Sequence, residues 1–329
     1  MTNEDELNIK EFRKKIFLTA YSYTGGLAYL ASAFSVAEVL YTLYIKDILK
    51  YKPSDPLWGD RDRLIMSKGH ASLAIYTILA IVGYFAKDEL FTFCQPGSRF
   101  GGEPNMLLIP GVEASTNSLS HRLSFGTGIA LANKMDGKGS RVYVILGDGE
   151  CQEGTVWEAV MSAAKHQLDN LTVILDDNKI QKMGFVRDIM GIDSWETRWA
   201  SFGWHVIKTS RHDIGAIENA FKSPGEQNKP RLIIADTIKG KGVSIMENNP
   251  DWHFRMPNKK ELKVVIQELG ITEEELEQCR KHTYSVRMNW QKKIIMCYLS
   301  LPTAEPVMMS YSKGIFRISF SILEYRKNT

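Results

Sequence analysis

Val142-Tyr-Val-Ile-Leu-Gly-Asp-Gly149 and Leu171-Thr-Val-Ile-Leu-Asp-Asp-Asn-Lys-Ile180 are two short apolar runs, partly β-branched, that each end in Gly, Asp or Asn. This pattern is typical of a buried strand followed by a turn. Between the two runs, the apolar spacing predicts a helix from about Thr155 to Leu168. Strand, helix and strand in this order predict a βαβ unit and therefore a parallel sheet.

The chain on both sides of this unit continues the same alternation. Trp204-His-Val-Ile207 and Arg231-Leu-Ile-Ile-Ala235 are two more apolar runs, and Ile214 to Lys222 between them has the spacing of a crossover helix. We therefore predict an α/β fold, a doubly wound and mostly parallel sheet with helices on both faces. Further expected elements are two helices and a Gly25-Gly26 loop within residues 9–50, a buried helix within Ala71 to Ala86, and a surface helix pair from Lys259 to Glu277.

Composition and charge exclude several protein classes. The chain has 329 residues, of which 44% are hydrophobic and 24% charged, so disordered, collagen-like and disulfide-rich classes do not apply. Its 41 basic and 38 acidic residues are spread along the chain and form no basic track for nucleic acid. The four cysteines lack C-x-x-C spacing, the N-terminus lacks signal-peptide features, and no apolar run is long enough to cross a membrane. These features predict a cytoplasmic protein without nucleic-acid or membrane partners.

Polar residues at the ends of the two central strands predict a cation site. Asp148 and Asn178 each follow an apolar run, and ligands of open α/β sheets bind at the carboxyl ends of parallel strands. Mg²⁺ prefers oxygen ligands and usually takes one or two carboxylates, with carbonyls, water and phosphate completing its shell. The alternative is that Gly-Asp-Gly and Asp-Asp-Asn are ordinary turns, which each tripeptide alone would favour. Their occurrence together at this spacing favours a site for Mg²⁺ and a diphosphate.

Several motifs together resemble the thiamine diphosphate-binding half of transketolases, in the form whose two halves are separate chains. The central ones are Gly147-Asp-Gly-Glu-Cys-Gln-Glu-Gly154, Trp157-Glu-Ala159 and Asn170-Leu-Thr-Val-Ile-Leu-Asp-Asp-Asn-Lys-Ile-Gln181. The outer ones are Ser67-Lys-Gly-His70, Pro110-Gly-Val-Glu-Ala-Ser-Thr116, Leu123-Ser-Phe-Gly-Thr-Gly-Ile-Ala-Leu-Ala132 and Thr237-Ile-Lys-Gly-Lys-Gly-Val-Ser244. The resemblance covers roughly residues 10–275. It implies a thiamine diphosphate-binding domain, for which we expect residues 1–280, and leaves 281–329 as a tail of unknown role.

The resemblance implies a role for each residue that matches the family motif. Asp148, Asn178 and the carbonyl of Ile180 would hold Mg²⁺, or another divalent cation such as Ca²⁺ or Mn²⁺. The expected cofactor-binding residues also include His70, Leu119, Gly147, Gly149, Glu150, Lys239 and His253. His70 and His253 would be catalytic, as would Glu153 through a carboxylate network across a subunit interface. The alternatives are a helix cap or surface group for each histidine, and for Glu153 a favourable place at a helix N-terminus.

Three segments near the expected substrate depart from the family. The family commonly has Gly-His where this chain reads Ala28-Tyr29, and Gly-His-Pro where it reads Gly102-Glu103-Pro104. The glycine-rich Thr-Gly-Ser-Leu-Gly segment reads Thr116-Asn-Ser-Leu-Ser120, followed by His121-Arg122. Tyr29 and Glu103 are thus altered substrate positions, and a phenol and a carboxylate suit a phosphorylated sugar less well than imidazoles do. Asn117 tolerates left-handed backbone geometry, so the cofactor ring could still fit.

The resemblance also implies a partner. The glutamate that activates thiamine belongs to the pyrimidine-binding domain in this family, and no second α/β domain follows residue 280. The chain alone should therefore be inactive. With a C-terminal pyrimidine-binding subunit it should form an α2β2 heterotetramer that moves a two-carbon ketol unit from a ketose to an aldose. Two alternatives remain open: the chain belongs to another thiamine diphosphate-dependent carboligase or 2-oxo acid decarboxylase, or it is a non-catalytic structural or regulatory subunit.

Overall fold

Five parallel strands form the central sheet, in the order β1–β2–β3–β7–β6. They are β1 (Arg63–Met66), β2 (Val142–Gly147), β3 (Leu171–Asp177), β6 (His205–Thr209) and β7 (Arg231–Asp236). The computed structural model describes residues 2–23, 27–192 and 194–281, and the backbone of 308–312 and 315–319. All four pairings in this sheet are parallel, as the sequence predicts.

Alternating side chains of the strands pack into two separate cores, one on each face of the sheet. On one face Tyr143 and Ile145 of β2 pack with α1 (Asn3–Tyr21), α2 (Leu30–Ser35), α3 (Ala37–Ile45), α4 (Ser72–Ile81), α9 (Ile214–Lys222) and α10 (Lys259–Leu269). On the other face Val144 and Leu146 pack with α5 (His121–Met135), α6 (Gly154–Lys165) and α8 (Trp195–Ser201). Because both faces are covered, the two central strands β2 and β3 are buried at every residue.

The predicted elements are found with small shifts in their ends. The crossover helix α9 has the predicted bounds, and α6 lies within the region where a helix was expected. Among the described residues, the N-terminal segment has three helices, α1, α2 and α3, where two were predicted. The predicted Gly25-Gly26 loop lies within residues 24–26, outside the described residues. Strand β1 was not predicted, because a four-residue strand between charged residues has too little apolar periodicity.

Short elements surround the sheet. A two-stranded antiparallel ribbon, β4 (Ile180–Gln181) and β5 (Gly184–Phe185), follows β3 and leads into α7 (Val186–Met190). The chain is helical again over residues 273–281, so the expected pair of helices after Lys259 is present. No helix among the described residues is long and apolar enough to cross a membrane.

The chain divides into two units, Met1–Tyr284 and Ser285–Thr329. In the second unit, β8 (Met308–Ser312) and β9 (Ile315–Ser319) form an antiparallel hairpin. The expected role of residues 281–329 as a tail falls almost entirely outside the described residues.

A buried charged group, Arg13, Glu38 and His212, ties three parts of the first core together; we call it the Glu38 cluster. Arg13 Nη2 donates to both carboxylate oxygens of Glu38 at 2.7 and 2.8 Å, and His212 Nδ1 lies 2.9 Å from Oε2 of the same carboxylate. The other ring nitrogen of His212 accepts a hydrogen bond from the backbone N–H of Ile238 at 2.7 Å. The cluster therefore anchors the loop after β7 to α1 and α3, and this loop leads to the site described below.

Candidate active site

A cavity of about 410 Å³ opens at the carboxyl ends of β1, β2 and β3. Its lining comes from the loops after these strands, from the segment before α5 and from the loop after β7. Sequence-predicted residues in the lining are His70, Glu103, Leu119, Gly147, Asp148, Gly149, Glu150, Glu153, Asn178, Ile180, Lys239 and His253. The fold thus brings together residues from distant parts of the chain. Of the predicted site residues, Tyr29 is absent from the lining.

The three expected cation ligands lie on adjacent turns at the end of β2 and β3. Asp148 is buried, and its Oδ2 accepts a hydrogen bond from the backbone N–H of Lys179, the residue after Asn178. Asn178 is also buried, and its Oδ1 accepts from the N–H of Ile180 at 3.1 Å. The Ile180 carbonyl oxygen accepts from the ammonium of Lys239 at 3.0 Å. Carboxylate, amide and carbonyl oxygens therefore gather at one edge of the cavity, which suits a hard cation that shares its shell with a phosphate.

Burial, and then the charge of Asp176, raise the pKa of Asp148 to about 7. The carboxylate is taken out of water and faces a second carboxylate, so its charged form needs a nearby positive charge. Among the described residues, no group of three or more His, Cys, Asp or Glu side chains could hold a metal ion. A cation at Asp148 would therefore depend on neutral oxygens and on oxygens from a ligand.

Gly149 lies against the Gln181 side chain, where a residue with a Cβ would not fit. A Cβ at this position would lie 2.7 Å from Cβ and Oε1 of Gln181, which is closer than real Cβ atoms come. The backbone N–H of Gly149 donates to Oδ1 of Asp148 at 2.7 Å. At Gly147, by contrast, the nearest atom to an added Cβ is Lys68 Cγ at 3.7 Å.

Glu150 is buried, lines the cavity and connects neighbouring segments through hydrogen bonds. Its carboxylate accepts hydrogen bonds from the backbone N–H groups of Ser120 and Gly147, each at 3.1 Å, and from the hydroxyl of Ser67. These bonds join the segment before α5 to the ends of β1 and β2. Ser120 has a φ of 69°, in the left-handed region, whereas Asn117 is not among the described residues with positive φ. The left-handed geometry is therefore found at Ser120, which stands at the position of the family's second glycine, and not at Asn117.

Lys239 and His253 form a buried pair on the cavity wall. Burial, and then the charge of Lys68, lower the pKa of Lys239 to about 7. The ammonium donates to the Ile180 carbonyl and lies 2.7 Å from His253 Nδ1. Burial, and then the charge of Lys239, lower the pKa of His253 to about 3, so the ring is neutral. When Lys239 donates to Nδ1, the ring proton must sit on Nε2, and this buried Nε2 has no hydrogen-bond partner in the structure.

His70 stands beside this pair in an aromatic stack. Tyr29 lies between His70, at a ring distance of 3.9 Å, and Phe254, at 4.3 Å, and it meets His253 edge-on at 5.6 Å. Burial, and then the charges of Lys68 and Lys239, lower the pKa of His70 to about 4. Tyr29 thus packs behind two histidines of the cavity instead of lining it. Both faces of its ring are covered, and its place as a substrate contact stays a prediction.

Glu103 lines the cavity close to Gly69 and to Tyr29. A Cβ on Gly69 would lie 3.6 Å from the Glu103 carboxyl carbon. Burial raises the pKa of Glu103, and the charge of Arg122 opposes this effect. Burial, and then Glu103, raise the pKa of the Tyr29 phenol. Two departures from the family pattern, Glu103 and Arg122, are therefore electrostatically coupled although they are far apart in the sequence.

The rim of the cavity is exposed and partly apolar. Leu119 is 57% exposed and Met183 is 80% exposed, and both contribute to the lining. Phe125 on the first turns of α5 is 52% exposed. Glu153, also exposed, lies on the same rim at the start of α6.

Two buried residues of this site, Lys68 and Asp176, were not predicted. Lys68 lines the cavity, and its Nζ donates to the Ser32 carbonyl at 3.2 Å, to Ser35 Oγ at 2.9 Å and to Asp176 Oδ2. Burial raises the pKa of Asp176, but the charge of Lys68 and hydrogen bonds from Lys68, Thr237 and Ser35 outweigh burial and keep that pKa below its ordinary value. Both residues belong to motifs that the sequence shows, Ser67-Lys-Gly-His70 and Asp176-Asp-Asn178. Within these two motifs, we had predicted roles only for His70 and Asn178.

Comparisons with known proteins bear on this site. The family model described as "Transketolase, thiamine diphosphate binding domain" matches residues 28–296. The chain is 38% identical over 268 residues to one subunit of the apulose-4-phosphate transketolase of Actinobacillus succinogenes, covering 81% of this chain and 96% of that protein. It is 37% identical over 248 residues to a 6-deoxy-6-sulfo-D-fructose transketolase subunit of a Clostridium species, covering 74% of this chain and 89% of that one.

Solved transketolase structures also superpose on this chain. A transketolase from Pichia stipitis superposes with a TM-score of 0.75 at 26% identity and covers 91% of this chain and 47% of its own. The transketolase of Campylobacter jejuni gives 0.74 at 26% identity, with 91% of this chain and 51% of its own. The chain thus spans about half the length of these solved transketolases, and nearly the full length of proteins named as subunits.

Proposed function

The chain belongs to the transketolase family, in its thiamine diphosphate-binding domain, and from this premise we propose that it is the N-terminal subunit of a two-chain transketolase. The reaction would move a two-carbon ketol unit from a ketose donor to an aldose acceptor. The observation that carries the proposal is the cavity at the carboxyl ends of the strands, where Asp148, Asn178 and the Ile180 carbonyl meet.

The residues present fit thiamine diphosphate and a divalent cation. A Cβ on Gly149 would displace Gln181, which lines the cavity, and the buried Nε2 of His253 has no partner within the protein. Asp148, Asn178 and the Ile180 carbonyl would hold Mg²⁺, or Ca²⁺ or Mn²⁺ in its place. When bound, thiamine diphosphate supplies the carbon nucleophile that ketol transfer requires.

The side chains of this chain would bind, orient and hold protons. Lys239 places a cation within the cavity, where it balances phosphate charge. His253 offers a neutral N–H donor at Nε2 toward an oxygen of substrate or cofactor. His70 is neutral as well, so it can accept or donate one proton, and the Tyr29 ring holds it in place. The loss of water from these side chains strengthens each hydrogen bond that a ligand makes with them.

The partner we propose is the C-terminal, pyrimidine-binding subunit, in an α2β2 assembly located in the cytoplasm. The relatives named as transketolase subunits match over nearly their whole length, whereas the single-chain transketolases are about twice as long. Exposed apolar side chains at the rim, Leu119 and Met183, and Phe125 on α5 suit surfaces that another chain covers. Glu153 at this rim would face a carboxylate of a second copy, as the family resemblance implies.

The donor we propose is a specialised ketose, for which Glu103 is the selecting residue. Two relatives are named for apulose 4-phosphate and for 6-deoxy-6-sulfo-D-fructose, ketoses that both carry an anionic group, and the donor we propose for this chain differs from them in lacking one. Glu103 accepts hydrogen bonds from sugar hydroxyls and repels an anionic group, opposite to an imidazole at that place. Tyr29 acts indirectly, since it supports His70 and does not line the cavity.

The test is calorimetric titration of the purified chain with thiamine diphosphate in Mg²⁺, alone and together with a candidate pyrimidine-binding subunit. Asp148→Ala removes a cation ligand, and Asp251→Ala is the matched control, an exposed aspartate outside the cavity. We expect saturable binding that Asp148→Ala abolishes and Asp251→Ala leaves unchanged, and two-carbon transfer only in the mixture. A folded complex that binds no cofactor would contradict the proposal and leave the non-catalytic subunit. Turnover of 2-oxo acids but not of ketoses would favour the decarboxylase or carboligase alternative.

A further inference from the structure

One buried carboxylate, Asp176 at the end of β3, connects four segments that build the cavity. It is 0% exposed and accepts hydrogen bonds from Ser35 Oγ at 2.7 Å and from Asn178 Nδ2 at 3.0 Å. It also accepts from the ammonium of Lys68 and from the hydroxyl of Thr237. Asp176 itself is not among the residues that line the cavity.

The chemistry of these contacts restricts the orientation of the Asn178 side chain. Four donors converge on Asp176, so this group acts only as an acceptor. Because a carboxylate cannot donate, the nitrogen of the Asn178 amide must face it, and the oxygen must face the other way. That oxygen, Oδ1, accepts from the Ile180 N–H at 3.1 Å and has a second lone pair free for a ligand.

The same carboxylate also determines where a positive charge lies. The three protons of the Lys68 ammonium have three acceptors in the protein: the Ser32 carbonyl, Ser35 Oγ and Asp176. Lys68 lines the same cavity, and its ammonium shares Asp176 Oδ2 with the Asn178 amide nitrogen, so Asp176 holds this charge within the protein. Without the Asp176 charge, this ammonium would lose the counter-ion it contacts and would repel a second cation.

We propose that Asp176 is a positioning residue for the cation site: it presents the oxygen, and not the nitrogen, of the Asn178 amide to the divalent cation, and it neutralises Lys68. The inference rests on the proposed function, since it presumes that Asn178 is a cation ligand. Asp176 acts through Asn178 and touches neither cation nor substrate.

The first variant is Asp176→Asn, which keeps the shape of the side chain. The new amide can both donate and accept, so the Asn178 amide can turn its nitrogen toward the cation, and Lys68 loses its counter-charge. Loss of such an outer contact to a metal ligand typically costs about 10–100-fold in metal affinity. We expect a decrease of about 10–100-fold in Mn²⁺ affinity, measured by calorimetry with thiamine diphosphate present.

Two further variants separate positioning from simple structural support. Thr237→Val is the matched control, because it removes one donor from the same carboxylate but leaves the Asn178 contact and the charge in place. Asp176→Asn combined with Asn178→Asp exchanges the two groups, so that an amide again donates to a carboxylate and oxygen faces the cation. We expect Thr237→Val to keep the wild-type Mn²⁺ affinity and the exchange variant to regain most of it.

Thermal unfolding of the metal-free proteins distinguishes the roles. A purely structural role predicts that Asp176→Asn and Thr237→Val both lower the unfolding temperature and that Mn²⁺ affinity is unchanged in both. Should Asp176→Asn not fold, hydrogen exchange of the Asn178 Nδ2 protons in the wild-type protein tests the same contact. We expect protection there, and exchange at the rate of a free amide would contradict the proposal.

The outcomes of the titration separate this inference from the proposed function. A wild-type chain, with its partner, that binds no Mn²⁺ in thiamine diphosphate contradicts both. Wild-type binding that Asp176→Asn leaves unchanged contradicts the role of Asp176 alone. Wild-type binding that Asp176→Asn weakens and the exchange variant restores supports both.

Discussion

Replacing Asp148 by asparagine should make the metal-free chain more stable at neutral pH, although it removes a candidate cation ligand. Burial, and then the charge of Asp176, raise the pKa of Asp148 to about 7 from 3.8. The folded chain then keeps a proton that the unfolded chain has lost, so the free energy of unfolding falls as the pH rises from 3.8 to about 7. Each pH unit in this window costs about 1.4 kcal/mol, and the whole loss is about 4 kcal/mol.

The asparagine has a cost of its own. Both carboxylate oxygens of Asp148 accept hydrogen bonds from backbone N–H groups, from Gly149 at 2.7 Å and from Lys179, whereas an amide accepts through one oxygen only. One buried N–H left without an acceptor costs about 1–3 kcal/mol. The variant should therefore exceed the wild type by about 1–3 kcal/mol above pH 7 and lose this advantage toward pH 4.

Urea unfolding of both proteins in EDTA at pH 5 and pH 8 measures this difference. His70 and His253, whose pKa values are lowered to about 4 and 3, make every variant more stable as the pH rises toward 6.5, so wild type and variant are compared at each pH. We expect the stability of Asp148→Asn relative to wild type to rise by about 3 kcal/mol from pH 5 to pH 8. An equal difference at both pH values would show that Asp148 does not carry the raised pKa. With Mg²⁺ and thiamine diphosphate, only the wild type should gain stability.

Three further predictions concern Gly149, His212 and Glu103. Gly149→Ala should weaken thiamine diphosphate binding in calorimetry, because its Cβ would lie 2.7 Å from the Gln181 side chain, while Gly147→Ala, with 3.7 Å to its nearest neighbour, should bind more nearly as the wild type does. Equal affinities would contradict the steric argument. His212→Ala removes one of two partners of the buried Glu38 carboxylate and leaves the Ile238 N–H unpaired, so it should lower the free energy of urea unfolding by about 1–3 kcal/mol. A change under about 0.5 kcal/mol would show that water replaces the ring. Glu103→His in the assembled enzyme should lower KM for a phosphorylated ketose about tenfold, and an unchanged KM would remove Glu103 from donor selection.

Much of the fold was predictable because strand patterns and crossover helices are local properties of the sequence. The runs at β2, β3, β6 and β7 were all found as parallel strands, and α9 has its predicted bounds. β1 escaped prediction, since four residues carry too little periodicity to stand out between charged neighbours.

The sequence predicted the residues of the candidate site whose side-chain type has a common chemical role at the end of a strand. Asp148 and Asn178 could be placed at one edge, because carboxyl ends of neighbouring parallel strands meet there. Tyr29 could not be placed, since its position depends on His70 and Phe254, which arrive from distant parts of the chain. For the same reason Ser120, and not Asn117, has the left-handed backbone: its amide is held by Glu150.

Residue types at fixed local spacing were enough to predict the central βαβ unit, the candidate cation ligands and the family of the chain. The neighbours of each buried charge, in contrast, follow from the folded arrangement alone. The acidic Asp176 and the basic Lys68 belong to separate sequence motifs, and only the fold brings them into contact. The Glu38 cluster joins α1, α3 and the loop after β7 in the same way. The physical reason is that burial raises the cost of an unpaired charge, so the pairing of these groups depends on three-dimensional distance and cannot be read from spacing along the chain.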